Sequence, residues 1–363
     1  MIERLEAIQR QFESEDVVAK HTWLFGHFVR LPDESVKDFG KEYEAALSRR
    51  RLDALEETFG IGGFGKVLEL AQAVDRPDSI GWILGEADML ADDSLVLPGL
   101  IASDDQRIAS LARGYAVARF NDVGWPWVET FELAEWSPEQ VGRFAAVLHF
   151  ERRTWDFVAS LGGEVNACYW RCAEPYFLES DQEDIEYAVS KLLASKRPLA
   201  VVRLLRRAIH QKCTIQPSVL FDTLEAVHEG DEKAHNEIRS GNARYEIQAI
   251  FELLQDDPDV DQLRLGKLEW QLLDLLDAHG ASPKGLYRLL QMEPRFFAEL
   301  IALMFRSRKE PKESSPPPTD QERSRAEHAY RLLADWKTVP GTREDGTVDE
   351  AALAYWVTKA QQI

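Results

Sequence analysis

Apolar residues return at helical intervals along most of the chain. Ile185, Ala188, Val189, Leu192 and Leu193 occupy i, i+3, i+4, i+7 and i+8. The spacing recurs at Leu220, Leu224 and Val227, at Ile247, Ile250, Phe251 and Leu254, at Leu265, Leu268, Leu272, Leu275 and Leu276, and at Phe297, Leu300, Ile301, Met304 and Phe305. On a helix of 3.6 residues per turn each set forms one apolar stripe. No alternating run rich in β-branched residues competes with them. The punctuation agrees: Ser137-Pro138-Glu139, Ser282-Pro283 and Glu293-Pro294 have helix-entry chemistry, and Gly124, Gly162 and Gly280 follow helical runs where a left-handed cap is wanted. The pattern predicts an all-α fold.

Within that fold the texture changes along the chain. Residues 1–180 hold seven of the ten tryptophans, which predicts a Trp-rich helical bundle with irregular aromatic packing. The bundle is expected to end within Glu174–Asp181. Over residues 181–307 the helices shorten, with openings near Asp181, Pro217, Pro258 and Glu293. A pair period of roughly 35–42 residues is that of helical-hairpin repeats, so this region is expected to form an α-solenoid-like array of helical hairpins. Trp23-Leu-Phe-Gly26 and Trp82-Ile-Leu-Gly85 are each one residue short of the tetratricopeptide spacing and read better as two independent helix crossings at glycine. Residues 308–319, RKEPKESSPPPT, exclude helix and strand and read as a linker. The remaining 320–363 form a helical pair whose faces, Leu332, Leu333 and Trp336 on one helix and Leu353, Trp356 and Val357 on the other, need cover. That pair either folds back on the array or belongs to a chain that continues further.

Composition narrows the class. With 45 % hydrophobic and 29 % charged residues the chain resembles ordinary globular proteins, and no run of about 18 apolar residues suggests a membrane span. Acids outnumber bases 63 to 43, and the net charge of −20 opposes nucleic-acid phosphate and anionic lipid unless a local basic patch intervenes. Three cysteines, Cys168, Cys172 and Cys213, build no disulfide framework and fit a reducing compartment. A cytoplasmic, unanchored protein is expected.

Most motif-like stretches lack the residues their chemistry needs. Aligned on Gly346, the Gly341–Val348 loop puts Gly341, Arg343 and Ala352 where a calcium loop needs oxygen ligands, so Asp345-Gly346 reads as a turn and Asp349 as a cap or first-turn acid of the last helix. His228 and His235 are seven apart with Gly230 between them, not the four that a zinc-binding helix face requires, and read as part of a solvated interhelical loop. Cys168 and Cys172 share a helix face without a second ligand pair, and read as free buried thiols. Gly60-Ile-Gly-Gly-Phe-Gly-Lys66 has neither the spacing of a P-loop nor a hydroxyl after Lys66, and its glycines are expected to make a closely packed helix–helix turn.

One block carries positive chemistry. Residues 191–212 hold seven Lys and Arg and no acid. On a helix opening near Pro198, Arg203, Arg206, Arg207 and His210 fall at i, i+3, i+4 and i+7 and form a stripe, with Val201, Val202, Leu205, Ala208 and Ile209 facing inward. Such a stripe suits an acidic protein partner, or nucleic-acid phosphate as the one exception to the charge argument. It also suits internal pairing with the acidic helix Asp181–Glu186.

Glu164-Val-Asn-Ala-Cys-Tyr-Trp170, Leu332-Leu-Ala-Asp-Trp336, Val339-Pro-Gly341 and Asp345-Gly-Thr-Val-Asp349 resemble segments in the helical-repeat (HEAT- or tetratricopeptide-like) regions of large multidomain bacterial proteins, some of them defence-associated. The resemblance covers about a third of the chain and includes no catalytic motif. It implies a binding role, and no nucleophile, base and orienter assemble elsewhere in the sequence. The leading expectation is therefore a non-catalytic protein-binding scaffold or sensor module, without cofactor, metal or membrane contact. Arg323-Ser-Arg-Ala-Glu-His328 has the R-x4-H spacing that resembles HEPN-type ribonucleases, with Ser324 where that family carries a polar amide or acid. That resemblance implies an alternative, a ribonuclease using His328 in proton transfer and Arg323 on developing phosphate charge.

Overall fold

A computed structural model describes residues 16–31, 40–175, 182–273, 283–305, 319–335 and 340–361, with 342, 344 and 345 excepted. Every extended element among these residues is a helix, and no strand forms. No described helix is long and apolar enough to cross a membrane. The chain divides into two compact units, Met1–Glu179 and Ser180–Ile363. The expected linker at 308–319 lies outside the described residues except for Thr319.

In the first unit α1 (Val17–His21) and α2 (Lys41–Ala73) lead into α3 (Pro77–Glu86) and α4 (Gln106–Val123). α3 and α4 cross on glycine. A Cβ at Gly81 would overlap the Leu111 carbonyl oxygen, one at Gly114 would overlap that of Asp78, and one at Gly85 would lie 2.8 Å from that of Tyr115. Only backbones without side chains approach so closely. Of the two W-x-x-G segments, then, Gly85 sits at a tight crossing, whereas Gly26 has no neighbour closer than 3.7 Å. The glycines at 60–65 also differ from expectation. They lie within α2, which kinks at Gly62 and Gly63, and Gly63 has φ +61°. A Cβ at Gly60, Gly63 or Gly65 would meet nothing within 4 Å, so these glycines permit a bend and not a close approach.

The aromatics form the remainder of this unit's core, between α5 (Trp125–Val128), α6 (Pro138–Ala145), α7 (Arg152–Ser160) and α8 (Gly163–Cys172). Trp127, Phe131, Trp136 and Phe144 meet with centroids 5.1–5.5 Å apart. Trp155, Phe150 and Trp170 make a second cluster with separations of 5.1–5.9 Å. Asp93 anchors the first, accepting from Trp127 Nε1 at 2.8 Å and from the Tyr115 hydroxyl. α6 opens at Ser137-Pro138, where helix entry was expected, and Gln140 completes a capping box with Ser137 that was not anticipated.

The second unit runs α9 (Gln182–Ala194), α10 (Pro198–His210), α11 (Pro217–His228), α12 (Glu232–Ser240), α13 (Ala243–Asp256), α14 (Gln262–Gln271), α15 (Lys284–Met292), α16 (Pro294–Met304), α17 (Asp320–Asp335) and α18 (Glu350–Ala360). From α9 to α16 the packing partners lie within three helices along the chain, and the most extensive contact of α10 is with α13. The stretch opening at Pro217 holds three helices, α11 to α13, where a hairpin pair was expected, because breaks at 229–231 and 241–242 divide it. The next helix opens at Gln262, four residues after Pro258, where the Asp261 carboxylate accepts from the Leu263 and Arg264 amides.

α14 and α15 also meet on glycine: a Cβ at Gly266 would lie 2.7 Å from the Gly285 carbonyl oxygen. Beside them Glu269, fully buried, accepts from Gln255 Nε2 at 2.7 Å, from the Gly285 amide at 3.2 Å and from the Leu286 amide. Its carboxylate thus caps α15 from a neighbouring helix. The C-terminal pair folds back within this unit. Ala329 and Leu332 are buried, Trp356 Nε1 donates to the Leu290 carbonyl at 3.2 Å, and the Trp356 ring meets Phe297 at 5.5 Å.

Candidate functional site

The basic stripe lies on α10, whose inward residues Val201, Val202, Leu205 and Ala208 are buried. Arg203, Arg206 and His210 are exposed on the other side and Arg207 is half-buried. Arg203 Nη2 donates to Glu237 Oε1 of α12 at 2.7 Å, and Arg206 Nη1 to Glu246 Oε1 of α13 at 2.7 Å. Arg207 is likewise engaged. Internal pairing therefore exists for Arg203 and Arg206, with acids of α12 and α13; Asp181 lies outside the described residues. The two pairs differ in weight. Arg203–Glu237 is exposed on both sides and contributes about 0.2–1 kcal/mol at most. Glu246 is buried and its Oε2 has no hydrogen-bond partner among the described residues, so loss of Arg206 would strand a desolvated carboxylate.

A second cationic assembly arises only in three dimensions. The end of α11, one face of α12, the end of α14 and the first half of α17 enclose a cavity of about 530 Å³. His228, His235, Arg239, Arg325 and His328 line it, with Trp270 as an aromatic wall. His235 Nε2 lies 3.0 Å from the Val227 carbonyl, to which it donates, and this fixes the ring. Arg239 is held by Asn236 Oδ1 at 2.8 Å and Glu232 Oε1 at 3.3 Å. Arg325 makes no ion pair among the described residues. Burial pushes the His228 titration below the ordinary histidine value, the positive charge of His235 and Arg325 pushes it further down, and Glu229 opposes the shift. His228 and His235, read from sequence as a solvated loop, are thus the C-terminal residue of α11 and a mid-helix residue of α12, facing one space. Arg239, Arg325 and Trp270 had no signal in sequence, since their convergence depends on α17 folding back.

The nuclease pair does not converge. His328 lines the cavity, but Arg323 is exposed, lies 3.6 Å from Asp320 and is absent from the cavity walls. Residues five apart on a helix face different directions, and it is Arg325 that accompanies His328. The other sequence candidates resolve individually. Lys66 pairs with Glu69 at 2.6 Å, and Asp349 caps α18 by accepting from the Ala352 amide at 3.0 Å. Cys168 is buried but Cys172 is exposed, against the expectation that both are buried, because Cys172 lies on the same face at the very end of α8. The Cys172 thiol hydrogen-bonds Cys168 and draws the Cys168 thiol down to about 6, aided by Arg171 and opposed by burial. Among the described residues no three His, Cys, Asp or Glu side chains are placed to hold a metal ion. Comparison with protein-family models, curated proteins and solved structures finds no match.

Proposed function

We propose that the protein is a non-catalytic binding module, in which residues 181–307 act as an α-solenoid-like array of helical hairpins that presents a surface to a protein partner. The observation that supports this reading is the order of packing from α9 to α16, where each helix rests on helices no more than three further along the chain. Repeat arrays are built this way and offer extended lateral surfaces for binding. The resemblance to helical-repeat regions of large bacterial proteins, some defence-associated, supports the same role. The partner surface we assign is Arg203, Arg206, Arg207 and His210, and its partner is acidic. Pairing of Arg203 with exposed Glu237 is weak enough to be exchanged for a partner's carboxylate. The separation of Arg323 from His328 counts against the nuclease alternative.

The test has two arms. Labelled single-stranded RNA incubated with the full chain should stay intact. Proteins that co-purify with the full chain from its native host should be lost with Arg203→Glu/His210→Glu, which leaves the Arg206–Glu246 pair in place, at unchanged helical content. RNA cleavage that disappears in His328→Ala would replace the binding reading with the nuclease.

A further inference from the structure

The cavity between α11, α12, α14 and α17 has a composition that the rest of this acidic molecule does not lead one to expect. Among the described residues its walls carry two guanidinium groups, three imidazoles and one acid, Glu232. Glu232 is itself exposed and turned to Arg239 at 3.3 Å, so it leaves Arg325 uncompensated. Arg325 and Arg239 are exposed, so the space is an open pocket whose cations an entering anion would neutralise. Burial is the main cause of the depressed titration of His228, and the positive charge of His235 and Arg325 adds to it. Paired Arg and His donors suit an oxyanion with several acceptor oxygens. A volume of about 530 Å³ lies within the roughly 300–1,000 Å³ of small-molecule sites. Trp270 adds an apolar wall beside the charged one.

We infer that this cavity binds a small phosphate monoester, its phosphate held by Arg325, His228 and His235 and the body of the molecule lying toward Trp270. The site is separate from the α10 stripe and does not depend on the protein-binding reading.

Isothermal titration of the full chain with ribose 5-phosphate, adenosine monophosphate and adenosine tests the inference. Saturable binding of at least one monophosphate is expected, with adenosine silent. Preference for adenosine monophosphate identifies a nucleotide ligand that uses Trp270; equal affinity for the two monophosphates identifies a sugar-phosphate class. Arg325→Gln should weaken binding about tenfold to a hundredfold, as expected for loss of a charge-assisted hydrogen bond. Arg331→Gln, on the same helix but paired with Glu327 away from the cavity, should leave it unchanged. The inference is overturned if neither monophosphate binds, if adenosine binds equally well, or if Arg325→Gln binds as tightly as the parent.

Discussion

In the first unit α3 and α4 meet backbone to backbone at Gly81, Gly85 and Gly114, whereas in the second α14 and α15 meet at Gly266 and Gly285 around the buried carboxyl of Glu269. Both contacts depend on missing side chains, yet only one needs a polar group. The reason is where along the helices they fall. Gly81 and Gly114 are mid-helix, where backbone amides and carbonyls already satisfy each other, and the crossing can stay apolar. Gly285 is the second residue of α15, where amides have no partner inside the helix. A buried helix start needs an acceptor, and α14 supplies Glu269 one turn after Gly266.

The contrast sets an order of expected damage. Gly81→Ala should be the most harmful single change, since its Cβ overlaps main-chain atoms that cannot rotate away; overpacking costs about 1–3 kcal/mol and occasionally more. Thermal denaturation should show the loss, and a melting point near that of the parent would break the account of the first crossing. Glu269→Ala should follow, costing about 1–3 kcal/mol by leaving the Gly285 and Leu286 amides and the Gln255 side chain without an acceptor. Chemical denaturation measures it, and an unaltered midpoint would show that the second crossing rests on its glycines alone.

The same carboxyl makes the second crossing pH-sensitive. Burial raises the Glu269 titration above its ordinary 4.5, and the hydrogen bonds from Gln255, Leu286 and Gly285 oppose the shift without cancelling it. A carboxyl raised in the folded state contributes stability that is fully present below its unfolded value and is lost as pH rises through the folded one. The stability difference between the parent and Glu269→Gln should therefore move in favour of the variant as pH climbs from about 4.5. A difference that stays flat across that range contradicts the burial argument. The smallest effect belongs to Arg203→Ala, whose exposed pair with Glu237 is worth about 0.2–1 kcal/mol. A larger loss in its denaturation midpoint would mean that the α10 stripe is mainly a structural brace, not a surface for partners.

Periodicity made the helices legible because burial follows the apolar stripe: Ile185, Ala188, Val189 and Leu192 are all buried as their spacing requires. Caps were legible for the same local reason, as at Ser137 and Asp349. Glycine was harder to read. Gly60–Gly65 stood out by density yet faces open space, while Gly81 and Gly114 are isolated in sequence and sit at the closest approach, since the partner backbone that makes a glycine necessary comes from elsewhere. Glu269 was hidden likewise, a lone acid among leucines whose donors arrive from α13 and α15. Of the cavity, His228 and His235 were noticed as one cluster and His328 apart from them, but nothing local joins α17 to α11 and α12.

The uneven distribution of tryptophan has an optical consequence. Seven of the ten indoles fall in the first unit's portion of the chain, and Trp155 there is fully buried with Trp170 at 5.7 Å. Intrinsic emission is thus largely a signal from the first unit, while far-ultraviolet circular dichroism weighs the helices of both. Two melting curves recorded on one sample would then act as separate thermometers, and their failure to superimpose would reveal that the units lose their structure independently.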